Sequence, residues 1–251
     1  MKAAGRQLRI RQLLDAREFI DLETLCGELN ASESSVRRDL IALEGEGVLK
    51  RVYGGAMAMQ ARDHVLDFDW QSKSMADEKR RIAALAATLI DDGQTVILDA
   101  GSTVAAVARN LTARSLHVIT NSLPIAEVFN ESRQIEVTLT GGYLYPRLRV
   151  TLGPLCEQML AGVNADVLVM GIGGAMENGF SNTNTLVVSP QRKMIEVSRK
   201  VIIVADHTKF GRRAVMHLAP LDVADVVVSD SDLPQEFREM LRERDVELLL
   251  A

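Results

Sequence analysis

Residues 32–56 read SESSVRRDLIALEGEGVLKRVYGGA, and this stretch decides the fold of the first part of the chain. Ser32 is of a type that caps helix N-termini. Glu33 puts a negative charge in the first turn, where the helix dipole favours it. Val36, Leu40 and Leu43 recur at i, i+4 and i+7 and form one apolar stripe. At about 3.6 residues per turn, Ser34 and Arg38 point away from that stripe, and Ser35 and Arg37 flank it. The predicted helix therefore buries one face and offers two hydroxyls and two guanidiniums on the other. Those groups pair with base edges and phosphates of DNA. Gly45 and Gly47 end the helix. Val48 to Tyr53 reads as a strand, and Gly54-Gly55 as a tight turn. A recognition helix followed by a small basic hairpin is a winged helix-turn-helix. Its DNA-facing residues are Ser34, Ser35, Arg37, Arg38, Lys50, Arg51 and Tyr53.

Upstream, residues 6–18 predict a first helix with Ile10, Leu13 and Leu14 inward. Asp21 is placed to cap a second, which buries Leu22, Leu25, Cys26 and Leu29, and Asn30-Ala31 makes the turn before Ser32. Three helices and a hairpin complete a domain over residues 1–57. Residues 58–76 keep no sustained period and contain the single tryptophan, Trp70; they are expected to be a linker.

From Asp77 the pattern changes to alternating helices and strands, giving a third segment, 77–251. Strands are predicted at 95–99, 116–120, 135–139, 166–170, 201–205, 226–228 and 246–250, with helices at 78–89, 103–112, after Ser122, 153–163, 189–199 and 234–244. Repeated strand–loop–helix units with apolar strands imply an α/β fold, a mostly parallel sheet covered by helices.

Composition sets the class. Of the 251 residues 47% are hydrophobic and 25% charged, as in a soluble globular protein. No run of 18 apolar residues occurs, and the opening MKAAGRQLRIRQLLDAR carries arginines throughout, so neither a membrane span nor a secretory signal is expected. Cys26 and Cys156 lie far apart within apolar helical patterns and are expected to be buried thiols, which suits a reducing cytoplasm. The net charge is −5, and residues 1–60 balance nine Lys or Arg against nine Asp or Glu. A neutral domain binds a single DNA site weakly, so a homo-oligomer, dimer or tetramer, is expected to supply affinity.

In open parallel sheets ligands bind outside the carboxyl ends of the strands. Asp99-Ala100-Gly101-Ser102-Thr103 follows one predicted strand and opens a helix, whose N–H groups and hydroxyls suit a phosphate. Asn121 and Ser122 hold the same place on the next strand. Gly141, Gly142 and Gly173 allow close backbone approach, and Asp206 and Lys209 supply an acceptor and a cation. These residues are the candidate effector site. The four histidines (64, 117, 207 and 217) are scattered. No metal-ligand spacing, nucleophile–base pair or cofactor motif stands out.

The run Ser35 to Ala56, S-V-R-R-D-L-x-x-L-E-x-x-G-x-L-x-R-x-Y-G-G-A, is similar to the signature of the DeoR family of bacterial transcriptional regulators. D-x-G-S-T at 99–103, I-T-N-S-L at 119–123, Gly141-Gly142 and A-D-x-x-K-F-G at 205–211 resemble its effector domain. The resemblance implies a fold like ribose-5-phosphate isomerase and the coenzyme A transferases. It also implies repression of carbohydrate-catabolic genes, relieved by a phosphorylated sugar or related metabolite. One departure stands out: where the family often carries Glu and Lys, this chain has Val187 and Gln191. The competing expectation is a sugar-phosphate isomerase or transferase fused to a DNA-binding domain, with Asp99 or Asp206 as the base.

Overall fold

The computed structural model describes residues 3–16, 19–46, 48–52, 54–58 and 68–251. The chain divides into two compact units, Met1–Trp70 and Gln71–Ala251.

In the first unit, helices α1 (Ala3–Ala16), α2 (Leu22–Leu29) and α3 (Glu33–Gly45) pack on a three-stranded sheet of β1 (Phe19–Asp21), β2 (Leu49–Val52) and β3 (Gly55–Ala58). The apolar stripe of α3 is buried as expected, with Val36 and Leu43 fully enclosed and Leu40 nearly so. Ile10, Leu13, Leu14, Leu25 and Leu29 complete the core. Asp21 caps α2, its carboxylate accepting from the Thr24 N–H at 2.7 Å. Ser32 starts α3 differently from expectation. Its hydroxyl makes no cap bond and instead lies 3.2 Å from the Ser34 hydroxyl and 3.0 Å from that of Ser35. Strand β1 was not expected. Its three residues are too few to show a period, and it pairs antiparallel with β3, so the wing is the outer part of a three-stranded sheet. Gly47 and Tyr53 lie outside the described residues.

Helix α4 (Phe68–Lys73) falls within the stretch expected to be linker. Its six residues are too short for the periodicity of an amphipathic helix to register. Of that stretch, 59–67 lies outside the described residues, Ala58 ends β3, and Ala76 begins the next helix.

The second unit is built on seven parallel strands: β4 (Thr95–Leu98), β5 (Leu116–Thr120), β6 (Ile135–Leu139), β9 (Ala165–Met170), β12 (Ser198–Val204), β14 (Val226–Ser229) and β15 (Glu247–Leu250). Their spatial order is β15-β14-β12-β9-β4-β5-β6. Every one of the seven was expected; the inner strands β4, β9, β12 and β14 read as apolar runs because both faces of the sheet are covered there. Between them run α5 (Ala76–Ala87), which precedes β4, then α6 (Ser102–Asn110), α7 (Leu123–Val128), α8 (Pro154–Leu160), α9 (Thr185–Glu196) and α10 (Gln235–Arg242). The chain starts mid-sheet at β4, steps outward through β5 and β6, then returns to the other side of β4 at β9 and steps outward again. The winding therefore reverses between β4 and β9.

Antiparallel additions went unpredicted. β7 (Tyr143–Tyr145) pairs with β8 (Val150–Leu152), and β10 (Gly174–Met176), β11 (Gly179–Asn182) and β13 (Met216–Ala219) form a small sheet. All are three or four residues long. No described helix is long and apolar enough to cross a membrane.

Candidate functional sites

On α3 the face opposite the stripe is open: Ser34, Arg37 and Arg38 are exposed and Ser35 is half-buried. The arginines differ in what holds them. Arg37 donates to Glu33 through Nε and Nη2, at 2.9 and 2.6 Å. Arg51, on the wing, donates through Nε to Glu44 at 2.6 Å, and its backbone N–H reaches the same carboxylate at 2.9 Å. Arg38 has no carboxylate partner among the described residues; its Nε reaches back to the Ser34 carbonyl at 3.2 Å. The Lys50 side chain lies outside the described residues. Sequence reasoning missed Asp39, which is 3% exposed and accepts from Arg6 Nε at 2.6 Å and Gln7 Nε2 at 3.4 Å. This bond ties α1 to α3. The signal was available, since Asp39 sits in register with the apolar stripe.

In the second unit the candidate effector residues gather at the carboxyl ends of the parallel strands. Asp99 follows β4 at the point where the winding reverses, and its N–H bonds the Val169 carbonyl of β9 at 3.0 Å. Its carboxylate is 2% exposed and accepts from Gln191 Nε2 at 2.6 Å. Gln191 is oriented in turn, because its Oε1 accepts from Asn182 Nδ2 at 3.0 Å. Burial pushes the Asp99 carboxyl up to about 7, against the opposing pull of the Gln191 amide and the Ala100 N–H. Gln191, read from the sequence only as a departure from a family pattern, is thus the side chain that holds Asp99.

Leu98 pairs with Thr120 in the sheet, so Asp99 and Asn121 follow side by side. Asn121 and Ser122 are both buried. Asn121 donates to the Thr151 carbonyl at 3.3 Å, but its Oδ1 and the Ser122 hydroxyl have no hydrogen-bond partner among the described residues. Such groups cost about 1–3 kcal/mol each when left unmet inside a protein. Gly101 caps α6 at φ 130°, with open space where a side chain would stand. Ser102 and Thr103 begin that helix, both buried. Gly142 and Gly173 have closer surroundings. A Cβ on Gly142 would lie 2.4 Å from the Leu152 carbonyl, and one on Gly173 would lie 3.0 Å from Asn182 Oδ1. Protein atoms already crowd both positions. Gly141 faces open space.

At the end of β12, Asp206 is buried and its carboxylate accepts from the N–H and hydroxyl of Thr208. Lys209 is half-buried. Two neighbours escaped the sequence reading. Lys79 of α5 is 6% exposed and donates to the carbonyls of Gln71 and Ser74 at 2.6 and 2.8 Å. Burial takes its ammonium down to about 8; Asp206 opposes the fall and Lys209 adds to it. His207 Nδ1 meets the fully buried Asp230 carboxylate at 2.8 Å, and Asp232 completes a cluster of possible metal ligands. The Asp230 oxygens already accept the His207 and Asp232 N–H groups, at 2.8 and 3.0 Å, so these bonds explain the cluster as a turn cap.

A winged helix-turn-helix joined to a parallel α/β unit with unmet polar atoms at its switch point defines a ligand-responsive, DNA-binding transcriptional regulator. Residues 6–62 match the DeoR-like helix-turn-helix domain, and residues 74–231 match the DeoR C terminal sensor domain. The chain belongs to the DeoR family. It is 34% identical to the HTH-type transcriptional repressor GlcR of Bacillus subtilis, over 98% of this chain and 95% of that one. It is 32% identical to the HTH-type transcriptional regulator GlpR of Haloferax volcanii, over 98% and 97%. With a putative aga operon transcriptional repressor of Escherichia coli O157:H7 it shares 29%, over 98% and 93%. Superposition on ribose 5 phosphate isomerase A of Neisseria gonorrhoeae covers 60% of this chain and 57% of that one, at 14% identity and a TM-score of 0.41.

Proposed function

We propose that this protein represses genes of carbohydrate metabolism in the cytoplasm, binding double-stranded operator DNA through the winged unit as a homo-oligomer. Its effector is an anionic, phosphorylated sugar derivative held at the carboxyl edge of the seven-stranded sheet. The observation that carries the reading is the pair of buried, unmet polar atoms, Asn121 Oδ1 and Ser122 Oγ, beside Asp99 at the switch point. A sugar hydroxyl would meet each of them, and Asp99 would accept from another. The phosphate would dock on the N–H groups and hydroxyls at Gly101, Ser102 and Thr103, with Lys209 as a point charge. The reading assigns no catalysis. Asp99, whose raised carboxyl most resembles a base, has one oxygen taken by Gln191.

Calorimetry tests the effector site. Wild type is expected to bind a sugar phosphate more tightly than its dephosphorylated form, and Ser102→Ala and Lys209→Ala to reduce that preference. Equal affinity for both forms, or no loss in either variant, overturns the anion site.

The wing is tested through salt. Arg51 must exchange Glu44 for a phosphate on DNA, so Arg51→Ala should lower the salt slope of operator binding by about one. An unchanged slope means that Arg51 stays on Glu44 and braces the wing without touching DNA.

A further inference from the structure

The donor that meets Asp99 can be narrowed from the atoms around it. Asp99 is 2% exposed, and Leu98 pairs with Thr120, so Asn121 follows on the next strand beside it. Asn121 spends its Nδ2 on the Thr151 carbonyl. That bond fixes the amide, and the atom left over is Oδ1, which can only accept. The Ser122 hydroxyl, also unmet among the described residues, can accept as well. Gly101 leaves open space where a side chain would stand.

Asp99 lacks what usually accompanies a buried acid. No Lys, Arg or His of the second unit forms an ion pair with it among the described residues. Its side-chain partner there is Gln191, a neutral amide that donates at 2.6 Å. Gln191 is itself 2% exposed, and its Oε1 accepts from Asn182 Nδ2 at 3.0 Å, which keeps Nε2 turned to the acid. The protein thus gives Asp99 an oriented N–H and no positive side chain. A carboxylate taken out of water is costly unless opposite charge or several donors meet it. Burial accordingly lifts the Asp99 carboxyl to about 7.

A ligand group that brings positive charge recovers that cost, and a hydroxyl does not. An ammonium carries three N–H groups and no lone pair, which matches a cluster whose unmet atoms can all accept. We propose that Gln191 reserves Asp99 for a positive charge carried by the effector, and that the effector is an amino sugar phosphate whose ammonium lies against Asp99 and Asn121. The inference rests on the proposed effector site and deepens it: the phosphate stays at Gly101 to Thr103, and the ammonium takes the place of a sugar hydroxyl at the acid. A lysine at position 191 would fill that place from within the protein.

Calorimetry on the full chain at neutral pH reads the proposal as a ratio of affinities. Glucosamine-6-phosphate and galactosamine-6-phosphate are titrated beside glucose-6-phosphate and galactose-6-phosphate. Wild type is expected to prefer an amino form over its hydroxyl counterpart by about tenfold, the difference between a charged and a neutral hydrogen-bonded pair. Asp99→Asn keeps the shape and one carbonyl acceptor but removes the charge, and should bring the ratio to about one. Gln191→Lys should do the same by setting a cation on Asp99. Gln191→Met loses the amide without adding charge, so it should weaken both forms and keep the preference. Equal binding of amino and hydroxyl forms by wild type overturns the proposal and leaves the phosphate site standing. So does a preference that survives Asp99→Asn or Gln191→Lys, or one that is lost in Gln191→Met. Failure of all four compounds to bind overturns the proposal together with the effector reading beneath it.

Discussion

Leu43→Ala should unfold the winged unit ahead of the rest of the chain. Leu43 is fully buried in a core that includes Ile10, Leu25, Val36 and Leu49. Truncating such a leucine costs about 2–5 kcal/mol, through lost transfer energy and the cavity left behind. A domain of this size has only about 5 kcal/mol or so to lose. Scanning calorimetry of the full chain should therefore show the transition of the first unit moved down by about 10 °C or more, or gone, because 1 kcal/mol shifts a domain this small by about 4–8 °C. The transition of the second unit, and its ligand binding, should stay where they were. A joint shift of both transitions would show that the two units fold as one. An unmoved first transition would show that the stripe of α3 is not its core.

The second large effect falls on DNA. Arg38→Ala should weaken operator binding by about 1–3 kcal/mol if the guanidinium pairs with a base, which is about fivefold to more than a hundredfold in affinity. Arg38 is exposed, points away from the buried stripe and carries no carboxylate among the described residues, so it is the recognition-helix cation that DNA finds unengaged. Fluorescence anisotropy on operator and on scrambled DNA separates the two roles. A loss confined to the operator marks base pairing, an equal loss on both marks a phosphate contact, and no loss with the domain still folded removes Arg38 from the interface.

The fold was legible where the chain buries long runs. Val96 to Leu98, Val167 to Met170 and Val226 to Val228 are apolar throughout because both faces of their sheet are covered, and such runs are visible without any structure. The α3 stripe was legible for the companion reason, since one buried face leaves a period of 3.6. Strands β1, β7 and β10 were not, because three residues cannot establish alternation and their partners are set by tertiary contact. The chemical environment of the candidate site was less visible. That Asp99 stands beside Asn121 follows from sheet register, which the strand assignments imply. That Gln191 holds Asp99 joins residues 92 positions apart. Lys79 looked like one more charge on an amphipathic helix, since nothing local distinguishes a lysine turned inward to bond the carbonyls of Gln71 and Ser74. Asp39 is the exception, an acid sitting in an apolar register.

The glutamates that engage Arg37 and Arg51 bear on how the protein finds its target in a genome. On the proposed DNA contacts, each pairing would be exchanged for a phosphate when the winged unit settles on a duplex, and the gain from any arbitrary stretch of DNA would be reduced at two positions. Non-specific affinity comes almost wholly from such phosphate contacts. A regulator so self-neutralised would leave random DNA quickly, and fewer of its copies would be trapped on the vast excess of irrelevant sites. Occupancy of an operator would then depend more on base contacts, and the regulator would stay quick to respond to its effector.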